Sequence, residues 1–382
     1  MSEILEADVV VVGAGVHGSS AALHLARAGK KTILLEQFTV PHSRGSSHGQ
    51  TRIIRQTNFG TPALAPLLED SYKQWKAIQA QAGDVLLRPS PLLVLGTKEK
   101  QPLMEQMAES VRESGHVPQW LAPAHVNNMF GLECGGDAMA FLDPSGGVLM
   151  ADKCVGALQR LFRAAGGMLL DGWPVAEIKV EPEGSVEVRG QRGKVRAASL
   201  VLCPGPWAAP LLGKIGLHLP VRVERISVLY WRVKDSRRTT TTSFVDVSDD
   251  RGHFYGLPDI EYPGLVKVCF HGGPEVHPDQ RDKCDGREIR ERVMQYVQKK
   301  FPCLEPQPVI EESCMYTTTP DEECIVDTHP KYKNIIFAAG FSGTGFKIGP
   351  AVGRILSLLA QGHPLPYDLS EFSLSRFSKS KI

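Results

Sequence analysis

Four stretches of this chain gather residues able to do chemistry. The first is Gly13-Ala14-Gly15-Val16-His17-Gly18, a G-x-G-x-x-G pattern. Between a strand and a helix, Gly13 permits a tight turn and Gly15 lets a pyrophosphate approach the backbone. Gly18 lets helix and strand pack closely. The helix that starts there offers N–H groups and partial positive charge to phosphates. Glu36, at the end of the next apolar run, is placed to accept hydrogen bonds from a ribose. Its charge disfavours NADP and leaves NAD and FAD both open.

The second stretch, Ser46 to Arg55, holds His48, Arg52 and Arg55. If extended, the two arginines point to opposite faces. Ile53-Ile54 between them is too apolar for a solvated face. A guanidinium grips a carboxylate with two parallel hydrogen bonds, so a substrate acid and a structural ion pair are the two readings. The third stretch runs from Glu312 through Cys314 and Tyr316 to Glu322. On composition alone Cys314 reads as a buried small hydrophobe. The fourth, Gly340 to Lys347, is a Gly-rich turn after an apolar run, able to wrap a second part of a cofactor.

These stretches need elements to hold them. Asp8 to Val12 reads as a buried parallel strand, Ser19 to Ala28 as a helix ended by Gly29, and Thr32 to Glu36 as a second strand. That is one complete βαβ unit. An extended piece is expected at Thr51 to Arg55, and helices over 63–80, 101–114, 152–165, 287–300 and 350–361. The helix over 101–114 reads as solvent-facing. Strands are expected over 92–95, 199–203, 221–233, 264–270 and 334–339, with a hairpin around Val186 to Arg196. Thr239 to Thr242 reads as a flexible loop. The pattern predicts an α/β nucleotide domain of Rossmann type from pieces 1–85, 145–220 and 320–382, and a more β-rich second domain from 86–144 and 221–319.

Composition narrows the function classes. With a formal net charge of +1, 42% hydrophobic and 22% charged residues, the chain reads as a soluble globular protein. Nothing favours nucleic acid or an anionic membrane as partner. No apolar run approaches the roughly 18 residues of a membrane span. The acidic N-terminus does not read as a signal peptide. Eight cysteines without a C-x-x-C pair read as thiols of a reducing compartment, and no metal site is expected. The end, Ser380-Lys381-Ile382, differs from the peroxisomal address S-K-L in its last residue only.

Together, P-H-S-R-G-S-S-H-G-Q at 41–50, R-I-I-R at 52–55, Y-G-L-P at 255–258, S-C-M-Y-T at 313–317 and G-F-S-G-T-G-F-K at 340–347 resemble the monomeric sarcosine oxidase family. The resemblance runs nearly end to end and is closest to the animal branch, the peroxisomal sarcosine/L-pipecolate oxidases. It implies a two-domain flavoprotein related to glucose oxidase and D-amino-acid oxidase, with FAD joined covalently to Cys314 through a thioether. It implies that Arg55 and Lys347 grip the substrate carboxylate, while Gly343, Gly345 and Lys347 belong to the loop around the cofactor. Arg52 and His48 would lie by the flavin, away from substrate. Lys267 would promote the reaction with oxygen through a water near flavin N5, and Tyr255, His271 and Tyr316 would line the substrate pocket.

The implied activity is oxidation of the C–N bond of sarcosine, L-pipecolate or L-proline to an imine, with O2 reduced to H2O2. A related N-methyl or glycated amino acid oxidase, or an amine dehydrogenase with another electron acceptor, is the alternative. The resemblance also implies a monomer in the peroxisome, with an import receptor reading Ser380-Lys381-Ile382. Thr344 stands where a histidine is common in the family, and the segment near 235–250 is shorter and more polar than in relatives.

Overall fold

The computed structural model of the protein describes residues 4–58, 61–234 and 242–379. Most of the expected flexible patch at Thr239 to Thr242, and the Ser380-Lys381-Ile382 tail, lie outside the described residues.

Among the described residues, two eight-stranded sheets organise the chain. In the first, Met168–Leu170, Thr32–Leu35, Ile4–Val12, Gly193–Leu202 and Ile335–Ala339 lie side by side and parallel. Their Val, Ile and Leu runs are buried, as a parallel sheet covered on both faces requires. Alternation sorts the side chains. Val9 and Val11 pack with helices Val16–Arg27, Leu64–Ala82, Ala151–Ala164 and Gly349–Ala360. Val10 and Val12 pack on the other face with Val186, Val188 and Leu212. Gly193–Leu202 serves two partners, because its first half closes a hairpin with Val186–Gly190 and its second half pairs with Ile335–Ala339. Leu23, 1% exposed, anchors the helix after the glycines, and truncating such a residue to Ala costs about 2–5 kcal/mol.

The turn into that helix has no room for side chains. Gly13 has φ +98°, and a Cβ there would sit 2.3 Å from the Cys203 carbonyl oxygen. A Cβ on Gly18 would sit 1.9 Å from the carbonyl oxygen of Gly13. No acidic residue occupies the first turn of Val16–Arg27, so nothing on the helix itself cancels its positive end.

The second sheet runs in the order Leu304–Thr318, Arg222–Val233, Leu265–Phe270, Phe254–Tyr262, Ser243–Asp246, Leu92–Thr97, Ala138–Asp143, Gln119–Leu121. Helix Arg287–Lys300 covers one face through Val293, Tyr296 and Val297. Helix Gln101–Glu113 covers the other, which corrects the expectation that it faces solvent. Met104, Met107, Ala108 and Val111 stand at i, i+3, i+4 and i+7, and this narrow stripe is buried against Leu92 and Val94.

A three-stranded sheet links the two. Thr51–Ile54 pairs with Gly147–Met150, which pairs with Leu87–Pro89. Thr51–Ile54 carries Arg52 and delivers Arg55 just past its end.

Candidate active site

Two cavities meet where these sheets adjoin. The larger, of about 510 Å³, extends from Gly13, Gly15 and Glu36 to Gly343 and Gly345. The smaller, of about 180 Å³, is lined by Arg55, Tyr255, Lys267, His271, Cys314 and Lys347. His48, Arg52, Tyr316, Gly343 and Phe346 line both and mark the junction. Every site residue singled out in the sequence therefore borders one cavity or the other, except Gly18, which acts from beneath by packing against Gly13.

In the larger cavity the backbone does most of the shaping. Glu36 is buried, and its carboxylate accepts from the N–H of Ala14 (2.8 Å) and of Phe38 (3.1 Å). Two bonds leave capacity on a carboxylate with about four lone-pair sites. Ser342 takes the left-handed conformation, φ +46°, and its N–H donates to the Thr317 carbonyl at 3.0 Å. That bond ties the Gly-rich turn to the strand carrying Cys314. Gly343 (φ +83°) lets the turn pass directly against the pocket, because a Cβ there would lie 2.5 Å from the His271 ring.

At the junction Arg52 is held by the carbonyls of Thr51 (2.7 Å), His48 (2.6 Å) and Ser46 (3.1 Å). Its Nη2 lies 3.7 Å from Cys314 Sγ. Burial works against the guanidinium charge, but the acidic groups around it, Cys314, Tyr316, Tyr255 and the Glu261 carboxylate, together outweigh it and raise its pKa. His48 is the opposite case. Burial first, then Arg52 and Arg281, push its pKa down to about 3, so the ring is neutral. Its Nε2 is buried without a hydrogen-bond partner among the described residues. A bare polar atom at the meeting point of two cavities is what a bound polar ring system would satisfy.

In the smaller cavity two cations converge. Burial lowers the Arg55 pKa to about 10, opposed by Asp143. Asp143 is fully buried and clamps the backbone beyond Arg55, accepting from Thr57 N at 3.1 Å and Thr57 Oγ1 at 2.5 Å. Burial and then the Arg55 charge hold the Lys347 amine well below its ordinary pKa, with Glu323 pulling the other way. Two buried basic groups, each disfavouring the other's charge, form a site that an anion would relieve.

The walls are neutral. Burial raises the phenols of Tyr255 and Tyr316, whose hydroxyls stand 3.3 Å apart. Burial, then Lys347 and Arg55, lowers His271 to about 4, and its ring stacks on His253 at 4.3 Å. Lys267 donates to Thr51 Oγ1 at 3.0 Å and forms an ion pair with Glu261. Sequence reasoning missed Glu261, Thr51 and Asp143. An acid and a base on facing strands of one hairpin was the available signal for Glu261.

A family model described as FAD dependent oxidoreductase matches residues 8–359. The peroxisomal sarcosine oxidase of Mus musculus is 40% identical over 383 residues, covering 97% of this chain and 96% of that protein. The chain belongs to the FAD-dependent oxidoreductases, in the sarcosine oxidase family. The monomeric sarcosine oxidase of Bacillus sp. (strain B-0618) is 31% identical over 375 residues, covering 97% of this chain and 96% of that protein. The solved L-proline dehydrogenase of P. horikoshii shares the fold with a TM-score of 0.85 at 20% identity, covering 100% of both chains. This member of the family is a flavin-dependent amine oxidoreductase with FAD as cofactor. The residues present fit that group. The Gly13–Gly18 turn and Glu36 suit its dinucleotide half, and the junction with the bare His48 nitrogen suits its ring.

Proposed function

We propose that the protein oxidises the C–N bond of a small secondary amino acid, sarcosine or L-pipecolate with L-proline as a further candidate, and reduces O2 to H2O2. The observation that carries this reading is the convergence of Arg55 and Lys347 in a cavity that opens onto the junction. A substrate carboxylate placed between them relieves their repulsion and favours the charged form of Lys347. Tyr255, Tyr316 and His271, all uncharged, wall the amine end and keep water out. Oxidation needs the amine lone pair, so neutral walls suit a neutral amine. Bound FAD supplies the two-electron chemistry. The Lys267 ammonium stabilises negative charge as O2 takes up electrons.

Cys314, whose sulfur stands beside Arg52, holds the cofactor through a thioether. The first sheet with its helices (1–85, 145–220 and 320–382) is the FAD-binding domain, and the second sheet (86–144 and 221–319) is the substrate domain. The protein acts as a monomer in the peroxisome, where its peroxide is contained, and the import receptor reads Ser380-Lys381-Ile382. The name of the mouse relative supports that location.

The test is acid precipitation of the purified holoprotein beside Cys314→Ala. Yellow colour is expected to stay in the wild-type pellet and leave the variant. Release from both would remove Cys314 as the attachment point. Peroxide formation is then measured with sarcosine, L-pipecolate and L-proline. Substrate-dependent reduction of a dye without peroxide would make the protein a dehydrogenase. For the tail, Ile382→Asp is expected to abolish import, and full import of that variant would rule the tail out.

A further inference from the structure

Behind the reacting groups lies a set of polar side chains that the chemistry above leaves unused. Lys267 sits on Leu265–Phe270, an inner strand of the second sheet, and is buried. A buried ammonium loses its hydration and is driven toward the neutral amine unless an anion stands beside it. Glu261, on the neighbouring strand Phe254–Tyr262, supplies that anion, and the paired side chains are only 5% and 3% exposed. The pair is itself held. Glu261 Oε1 also accepts from the Thr51 hydroxyl, and Oε2 accepts from the Tyr230 hydroxyl.

Beyond Tyr230 stand Glu312, 3.3 Å from its hydroxyl, and Tyr262, which donates to Glu312 at 2.9 Å. The other ionisable groups whose charges reach the pair are Cys269 on the strand of Lys267, and His48 and Arg52 from the junction. Burial pushes the Glu261 carboxyl up, but Lys267 and the hydroxyls of Thr51 and Tyr230 hold it below the usual range, so it is an anion. Burial, Glu261 and Glu312 all keep the Tyr230 phenol protonated as a donor.

We propose that Glu261 is a positioning residue for Lys267: it fixes the ammonium beside Thr51 and keeps it charged at pH values where an unpaired buried lysine loses its proton. The inference rests on the oxygen-reacting role proposed above for Lys267. Its consequence is a cation held at one place by its counter-ion, ready to stabilise the negative charge that develops as O2 reacts. A pair that served only to stabilise the fold would affect melting and leave pH profiles alone.

The experiment uses the holoenzyme labelled with 13C at the lysine ε carbon, whose shift reports the charge on the neighbouring nitrogen. The Lys267 signal is assigned by its loss in Lys267→Met. In the wild type it is expected to stay at the charged position across roughly pH 6 to 9, and in Glu261→Gln to titrate inside that window. Stopped-flow reoxidation of reduced Glu261→Gln by O2 is expected to match wild type at the acid end and to fall about tenfold or more at the alkaline end. Reduction by substrate should stay near the wild-type rate. Lys267→Arg in the Glu261→Gln background, a cation that cannot lose its proton, should restore reoxidation at the alkaline end.

A Glu261→Gln enzyme slowed equally at every pH, with Lys267 still charged, would overturn the proposal and leave the carboxylate a structural partner. Wild-type reoxidation in Lys267→Met would overturn it differently, by removing the oxygen role on which it rests. The two failures are separable, because the first is read from the lysine signal and the second from the rate.

Discussion

The two cavities, proposed as a dinucleotide cradle and an amine pocket, adjoin, yet they are built on opposite principles. The cradle is mostly backbone: a turn without side chains at Gly13 and Gly18, a helix whose N-cap, Gly15, has no side chain of its own, and one carboxylate fixed by N–H groups. It grips by shape and by fixed dipoles. The pocket is side chain. Arg55, Lys267, Cys314 and Lys347 arrive from separate elements and meet with charge or reactivity exposed to one small space. A backbone site fails when something is added to it, whereas a side-chain site fails when something is removed.

The sharpest test of that contrast is Arg55→Met. Truncating one member of a buried charge constellation costs roughly 3–4 kcal/mol, or about a hundredfold to a thousandfold in kcat/KM. The cradle is untouched, so flavin content should be unchanged. Steady-state kinetics and the visible spectrum on one preparation check both halves. Loss of flavin together with activity would break the comparison, because it would make the two regions one cooperative unit.

Gly13→Ala is the mirror experiment. The new Cβ meets the Cys203 carbonyl at 2.3 Å with φ held at +98°, a strain of roughly 2–3 kcal/mol. The expected outcome is a lower melting temperature and weaker flavin loading, with normal KM for whatever loaded fraction remains. A raised KM in that fraction would show the turn reaching into the pocket.

The same contrast explains what was legible in the sequence. The cradle lies within one contiguous βαβ unit, so its pattern and its elements could be read together, and Ile4–Val12, Val16–Arg27 and Thr32–Leu35 appear where expected. The other helices and strands that were expected appear within a few residues of their places, but several strands had no expectation at all, among them Phe254–Tyr262 and Leu304–Thr318, which carries Cys314. The side of Gln101–Glu113 was misread because four apolar positions are outnumbered by polar ones on a helix whose stripe is narrow. The pocket was legible only through resemblance. Nothing local distinguishes Cys314 from a buried small hydrophobe, since its distinction is the approach of Arg52 from another sheet. The Glu261–Lys267 pair also depends on docking, because Thr51 reaches it from the linking sheet.

Acid offers a third measurement, of stability. His48 and His271 have folded pKa values of about 3 and about 4 against an ordinary 6.5. A depressed folded value means that the unfolded chain binds the proton first. The contribution is therefore complete above about pH 6.5 and is lost as pH falls toward 4, at no more than roughly 1.4 kcal/mol per pH unit for each ring. His271→Gln should flatten the acid limb of a melting-temperature profile by one ring's share. An unchanged slope would mean that the pocket admits water and already hydrates His271.

The smallest expected effect belongs to Tyr316→Phe, and it is the finest probe of the pocket as a side-chain device. The lost hydroxyl stands 3.3 Å from that of Tyr255, a long bond between neutral groups, so its net worth is about 0.5–1.5 kcal/mol. Neither partner is charged, since burial keeps both phenols protonated. The ring that packs 4.9 Å from His271 is retained. A pocket whose binding resides in Arg55 and Lys347 should then lose less than about tenfold in kcat/KM, with KM for a carboxylate substrate nearly unchanged. A larger loss, falling on kcat alone, would assign Tyr316 a bond to the reacting amine and move part of the pocket's work from its cations to its walls.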